Sequence, residues 1–345
     1  MQNVGARDHN QPIQVLLAEP MGTAAMGPIG LLPPRKAQVT SVPAVVPSAL
    51  QSAVVAAMKD RKTDLLVVRG NCPVNEQLID QLSEDERPSC VLRAGTGMDN
   101  LDINYLKSVG IACQNTPDVN TQATGELAVA LMLDVSRKIS QANAQVKDGI
   151  WNRGALTGSE LGGKTLGIVG VGRIGGVVGT VAKALGMNVI GLMSTRQPAE
   201  QKELPPYLSE KVSLDELCQR ADVLTVHLPL SDSTRNLIGA KQIAQLSGRN
   251  AVVINTARGG IVDEKALLEA LDNGQIAGAG LDVFVHDPAP PGSVSDQLAK
   301  HKNVIATPHV GGQTTEASQR MGQAVENKAE EMFAARLANQ QRVGL

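Results

Sequence analysis

Lys164–Gly175 reads KTLGIVGVGRIG, a short apolar run that breaks into a turn with glycines at 170, 172 and 175. Apolar residues at helical spacing follow, through Val177, Val178, Val181, Ala182 and Leu185. Strand, glycine turn and helix start, in that order, can seat the pyrophosphate of a dinucleotide. Gly170 permits the tight turn, Gly172 lets the backbone approach the phosphates, and Gly175 lets the helix pack close to the strand. Arg173 and Ile174 open the helix, whose free N–H groups would carry the phosphate charge. About 20 residues past such a turn, an acid normally accepts the ribose 2′-OH. Met193 stands there instead, followed by Ser194, Thr195 and Arg196. Two hydroxyls and a guanidinium suit a 2′-phosphate. The stretch predicts a preference for NADP(H), with NAD(H) also accepted.

The chain has 345 residues, enough for about two domains, and 42% hydrophobic residues to fill their cores. Aromatics are scarce, with one Trp, two Tyr and two Phe, so base stacking has almost nothing to use. The net charge is −2 and no basic block stands out, which argues against nucleic-acid or membrane-surface partners. No apolar stretch approaches a membrane span. Cys72, Cys90, Cys113 and Cys218 are scattered, without a CxxC pair or a histidine at metal spacing. They read as reduced thiols of a cytoplasmic protein, with no metal site. The start, MQNVGARDHNQ, is polar and does not read as a signal peptide.

Short apolar runs predict strands at Ile13–Ala18, Val39–Val42, Leu65–Val68 and Cys90–Arg93, with helices at Ser48–Met58 and Glu76–Leu82. Thr121–Lys147 predicts one long helix. Beyond the glycine turn, strands are expected at Asn188–Leu192, Val223–His227, Ala251–Asn255, Ala277–Asp282 and Val304–Ala306. Helices are expected at Ser213–Arg220, Glu264–Leu271 and Glu316–Leu337, the last returning to the first domain. Strands alternating with helices imply parallel α/β sheets.

Several motifs, in order, give the chain a family resemblance from about Leu65 to Thr315. They are RAGTGMDNLD (Arg93–Asp102), NTPDVNTQATGELAVALML (Asn115–Leu133), GIVGVGRIG, HLPLSDSTRNLIG (His227–Gly239), NTARGGIVDEKALLEAL (Asn255–Leu271), GAGLDVF (Gly278–Phe284) and TPHVGG (Thr307–Gly312). Together they resemble the D-isomer-specific 2-hydroxyacid dehydrogenases, which include phosphoglycerate and D-lactate dehydrogenases and glyoxylate/hydroxypyruvate reductases. The resemblance implies two doubly wound parallel-sheet domains: a Rossmann-type cofactor domain and a flavodoxin-like substrate domain, with the active site in the cleft between them. The expected division is 1–119 and 313–345 for the substrate domain and 120–312 for the cofactor domain. It also implies a homodimer and hydride transfer between nicotinamide and C2 of a small 2-oxo or 2-hydroxy acid.

Reducing a 2-oxo acid needs a carboxylate anchor, a helper for the carbonyl and a proton donor. Arg258 suits the first two, because its planar fork can grip both oxygens. His309 is the proton-donor candidate, since an imidazole both gives and takes protons near neutral pH. The family usually has glutamate as the histidine's partner, whereas this chain has Asp287, shorter by one methylene or roughly 1.5 Å. A working Asp287–His309 pair is expected. The resemblance further implies that Asp282, Thr256, Ala257 and Thr124 face the nicotinamide half of the cofactor. It places His227, Leu228 and Pro229 along the adenine ribose side. His9, His227, His286 and His301 otherwise read as structural histidines. Backbone N–H groups of Thr96, Gly97 and Met98 would hold the substrate carboxylate, with Arg69 as a second cation. Asp99 and Asn100 read as turn stabilisers. Small substrates such as glyoxylate or hydroxypyruvate are favoured. A phosphoglycerate-type substrate, with Arg69 and Arg93 as extra cations, and a dinucleotide-sensing corepressor-like protein are the alternatives.

Overall fold

The computed structural model describes residues 12–19, 37–43, 47–192 and 203–343. The chain divides into two units, Met1–Asn120 with Gln313–Leu345, and Thr121–Gly312.

In the first unit, β1 (Ile13–Leu17), β2 (Ala37–Ser41), β3 (Leu65–Val68), β4 (Cys90–Arg93) and β5 (Ala112–Asn115) form a parallel sheet in the order β2-β1-β3-β4-β5. That is the flavodoxin-type order. All four residues of β3, LLVV, are buried, as expected of a strand covered on both faces. Side chains alternate between the faces. Leu16, Leu66, Val68 and Val91 meet α1 (Leu50–Asp60), α2 (Glu76–Ile79) and α3 (Ile103–Ser108) through Val54, Met58, Leu78 and Leu106. Val15, Leu17, Leu65 and Val67 face the other way, onto Met321, Val325 and Ala329. The chain's last segment therefore covers the sheet formed by its first.

The second unit starts with α4 (Thr121–Arg137) and α5 (Ile139–Lys147). Its seven strands are β6 (Thr165–Val169), β7 (Asn188–Leu192), β8 (Glu210–Lys211), β9 (Val223–Val226), β10 (Val252–Asn255), β11 (Gly278–Leu281) and β12 (Val304–Ala306). They run parallel in the order β12-β11-β10-β9-β6-β7-β8. The order reverses direction between β6 and β9, and ligands of such sheets bind outside the carboxyl ends of the strands at that point. Around the sheet lie α6 (Arg173–Ala184), α7 (Leu214–Arg220), α8 (Ala240–Leu246), α9 (Glu264–Asp272) and α10 (Val294–Lys300). The final helix, α11 (Thr315–Val343), is the one that covers the first sheet.

The expected α/β class is present, with differences in detail. The single helix expected over Thr121–Lys147 is two, because Lys138 is left-handed (φ 55°). The Asp134 carboxylate accepts the N–H of Ser140 at 2.7 Å and also its hydroxyl, so a new helix starts there. Sequence periodicity missed β5, β8, α3, α8 and α10. The helices among them are only six or seven residues long. At the sheet edge, β5 reads ACQN and has no buried residue, so it carries no apolar run. Asn188–Leu192, Leu65–Val68, Cys90–Arg93 and Val304–Ala306 match their expected bounds.

Candidate active site

β6 ends at Val169 and the glycine turn follows. Gly170 has φ +109°, and a Cβ there would lie 2.6 Å from the carbonyl oxygen of His227 at the end of β9. A Cβ on Gly175 would come within 2.4 Å of the Gly170 carbonyl oxygen. Around Gly172, by contrast, nothing lies within 4 Å of the Cβ position. This is the open side of the turn. Gly172 is also the N-cap of α6 and, as a glycine, supplies no side-chain acceptor there.

Two buried polar atoms at adjoining strand ends lack a partner among the described residues, His227 Nδ1 and Thr256 Oγ1. The other ring nitrogen of His227, Nε2, lies 2.9 Å from Thr225 Oγ1, and burial pushes its pKa down to about 3. The ring is therefore neutral at physiological pH. Buried polar groups in native proteins are normally satisfied. Together the open turn, the helix start behind it and the two orphaned atoms fit a dinucleotide lying across the reversal between β6 and β9. Leu228 packs on the core beside Gly170, and the Pro229 carbonyl accepts Thr234 Oγ1 at 2.7 Å. Ser194, Thr195 and Arg196, expected at the ribose, lie outside the described residues, directly after the end of β7.

Arg258 follows β10 and its loop is held from within. Asn255, buried at the strand end, donates through Nδ2 to the Arg258 carbonyl at 2.9 Å and accepts the Ala257 N–H at 3.0 Å. The Arg258 guanidinium donates to the Ala257 carbonyl at 2.7 Å. Gly259 is pressed so closely against the next loop that a Cβ would sit 2.0 Å from the Phe284 carbonyl oxygen. Asn255 was not singled out from the sequence, although an Asn immediately before a turn is a recognisable signal.

His309 follows β12 and Asp287 follows β11. The His309 Nδ1 stands 3.2 Å from Asp287 Oδ2, with the two side chains 43% and 39% exposed. The shorter acid therefore reaches the imidazole, leaving Nε2 for another partner. Asp282 is buried at the end of β11. Its carboxylate accepts Thr307 Oγ1 at 2.6 Å, Val310 N–H at 2.8 Å and Gly311 N–H at 2.8 Å. Its carbonyl accepts the His309 N–H at 2.9 Å, and Thr124 Oγ1 donates to the Gly311 carbonyl at 3.2 Å. The carboxylate expected at the nicotinamide thus pins the loop that carries His309, which stands in the left-handed region at φ 55°.

The residues expected at the substrate belong to the first unit, at the carboxyl edge of its sheet. Arg69 follows β3. Its N–H is accepted by the buried carboxylate of Glu19 at 2.8 Å, and the same carboxylate accepts the Asn71 N–H at 3.4 Å. Asn100 donates to the carbonyls of Arg69 and Cys72 at 2.8 and 2.9 Å, so the Arg69–Cys72 loop is held from both sides. The sequence reading did not include Glu19. Burial, with the Glu19 charge adding to it, pushes the Cys72 thiol up to about 12, which leaves it an inert thiol. After β4, the Thr96 carbonyl accepts Asn115 Nδ2 at 2.6 Å, Thr96 Oγ1 donates to Asn120 at 3.2 Å, and the Met98 side chain packs on the unit's core. Gly97 lies between them.

Comparison with known proteins adds four findings. The family described as D-isomer specific 2-hydroxyacid dehydrogenase, NAD binding domain, matches residues 129–311. A D-3-phosphoglycerate dehydrogenase of Methanocaldococcus jannaschii is 41% identical over 282 residues, covering 81% of this chain and 52% of the relative. A hydroxypyruvate reductase of Thermotoga maritima is 40% identical over 262 residues, covering 76% of this chain and 82% of the relative. The crystal structure of a glyoxylate reductase from Paecilomyes thermophila superimposes with a TM-score of 0.75 at 29% identity, covering 93% of this chain and 95% of that one. The chain spans about half the length of the phosphoglycerate dehydrogenases it matches. Among the described residues, no helix is long and apolar enough to cross a membrane, and no cluster of His, Cys, Asp and Glu could hold a metal ion.

Proposed function

The chain belongs to the D-isomer-specific 2-hydroxyacid dehydrogenase family, and we propose that it transfers a hydride between NADP(H) and C2 of a small 2-oxo or 2-hydroxy acid, in the manner of glyoxylate or hydroxypyruvate reduction. One observation carries this reading. An Asp287–His309 pair with Nδ1 engaged stands at the same carboxyl edge as the Arg258 loop, on three neighbouring strand ends.

The nicotinamide, when bound, supplies or accepts the hydride. The rest falls to the chain. The Arg258 fork holds the substrate carboxylate and draws electron density from the carbonyl oxygen. Asp287, on Nδ1, fixes the imidazole so that Nε2 gives a proton to the oxygen that gains charge, and recovers it in the reverse direction. The N–H groups of Thr96, Gly97 and Met98, with Arg69, contact the substrate. The N-terminal end of α6 binds the pyrophosphate, and Thr256, Ala257 and Asp282 serve the nicotinamide half of the cofactor. Ser194, Thr195 and Arg196 give the NADP(H) preference. Replacing Arg196 by Ala should weaken NADPH use about tenfold while sparing NADH; equal losses would remove Arg196 from the site. A homodimer is part of the reading, since α5 has no buried residue and Ile139, Val146, Ile150 and Trp151 are exposed.

One observation favours a second reading, a dehydrogenase of a more anionic acid such as 3-phosphoglycerate. The Arg93 guanidinium folds over Gly95 and reaches the neighbourhood of Gly70, beside the Arg69 loop. The test is the loss of NADPH and NADH absorbance over a panel of 2-oxo acids, run together with 3-phosphoglycerate oxidation. Faster turnover of the phosphorylated acid favours the second reading. Tight dinucleotide binding without any turnover would point to a cofactor sensor.

A further inference from the structure

We infer that Glu264 is a positioning residue for the proton donor: it sets where Asp287 stands and, through Asp287, how His309 is turned. The inference rests on the reading of His309 given above. Glu264 is the first residue of α9, yet capping that helix is not its task. Asp263 does that, accepting the N–H groups of Lys265 and Ala266 at 3.0 and 3.1 Å. Glu264 instead reaches the connection between β11 and α10. One carboxylate oxygen accepts the Val285 N–H at 2.6 Å, and the other accepts Ser295 Oγ at 2.6 Å. Val285 comes two residues before Asp287, and Ser295 lies beyond it in α10. A single side chain therefore straps both ends of the segment that carries the acid.

That segment has little else to hold it. It reads His286-Asp287-Pro288-Ala289-Pro290-Pro291, and three of the six residues have no N–H to donate. Among the described residues, no backbone N–H from 286 to 291 donates a hydrogen bond. The far end is firmer, with Ser293 N–H on the Pro290 carbonyl and Gly292 N–H on Asp296. The Asp287–His309 contact is itself two-fifths exposed, and an exposed pair of this kind does not hold a loop in place. Aspartate is a short acid and its contact is already 3.2 Å long, so a small drift of the loop breaks it. The strap also steadies the surface on which the Arg258 loop rests, because Gly259 packs on Phe284 and Val285.

The test compares E264A, E264Q, D287N and the double variant E264A/D287N in two measurements. The first is kcat for reduction of a 2-oxo acid. The second is the ¹⁵N signature of the His309 ring, read without substrate or dinucleotide. E264A should lower kcat about tenfold without changing dinucleotide KM. It should also turn the ring from a fixed Nδ1–H form to the mixed tautomers seen in D287N. E264Q should recover most of the rate, since its amide can accept from Val285 and donate to Ser295. The double variant should be no slower than D287N alone, because both act on one contact. Parent-like kcat in E264A, an unchanged ring signature, or multiplying losses in the double variant would each overturn the inference. If E264A does not fold, Ser295→Ala removes one arm of the strap, and its loss must likewise vanish in the D287N background. The ring signature judges Glu264 even if no 2-oxo acid is turned over, so failure of the proposed function is distinguishable.

Discussion

The two loops that bring His309 and Asp287 together are built in opposite ways. The 307–311 loop is pinned at its centre. Asp282, buried beneath it, takes three donors on its carboxylate and the His309 N–H on its carbonyl. The 285–295 loop is tied towards its ends, through Glu264 at both and through the Ser293 and Gly292 N–H groups at the far one, and Asp287 rides on the proline-rich stretch between. The histidine backbone is thus fixed and its partner is compliant. A proton donor needs a fixed place and a tunable orientation, and the two loops divide those demands. Disturbing the first loop should cost stability as well as rate, whereas disturbing the second should cost rate alone.

Asp282→Asn tests the first half and should have the larger effect. It puts an amide NH₂ where one of three donors needs an acceptor, in a buried site. A loss of about 1–3 kcal/mol in denaturant-derived stability is expected, with a fall in kcat of at least about tenfold. Unchanged stability would mean that the loop does not depend on Asp282. Asp287→Asn tests the second half. Stability should stay within about 0.5 kcal/mol, since the pair is partly exposed, while the rate of reduction falls about tenfold. If Asp287→Asn destabilises the protein as much as Asp282→Asn does, the contrast between the loops is gone. The smallest effect belongs to Asp287→Glu. Because the loop already brings the short acid to 3.2 Å from Nδ1, the extra methylene should crowd the pair and slow turnover by only about two- to fivefold. A rate equal to or above the parent's would show a loop with room for the longer acid.

How much of this could be seen in the sequence depends on how far apart the partners lie. The glycine turn was legible because its three glycines fall within six residues, two of them, Gly170 and Gly175, where a side chain would clash and the third on the open side of the turn. The central strands were legible because parallel strands covered on both faces become continuous apolar runs, such as LLVV at Leu65–Val68. Arg258, Asp287 and His309 stood out through their residue types and motifs. The supporting residues did not. Glu19 holds Arg69 across 50 positions and Glu264 holds Ser295 across 31, and neither separation leaves a periodicity to read. Glu264 also looks like an ordinary first-turn acid of a helix. The break at Lys138 was hidden as well, because Asp134 and Ser140 lie six apart in a pattern that is helical on both sides.

The most direct test of the account is kcat for NADPH-dependent reduction of glyoxylate and hydroxypyruvate in the parent and in His309→Ala, with dinucleotide affinity measured alongside. The parent should turn over at least one acid, and His309→Ala should lose about 10²–10⁴-fold in rate with dinucleotide binding unchanged. Turnover that survives the loss of His309 would contradict it.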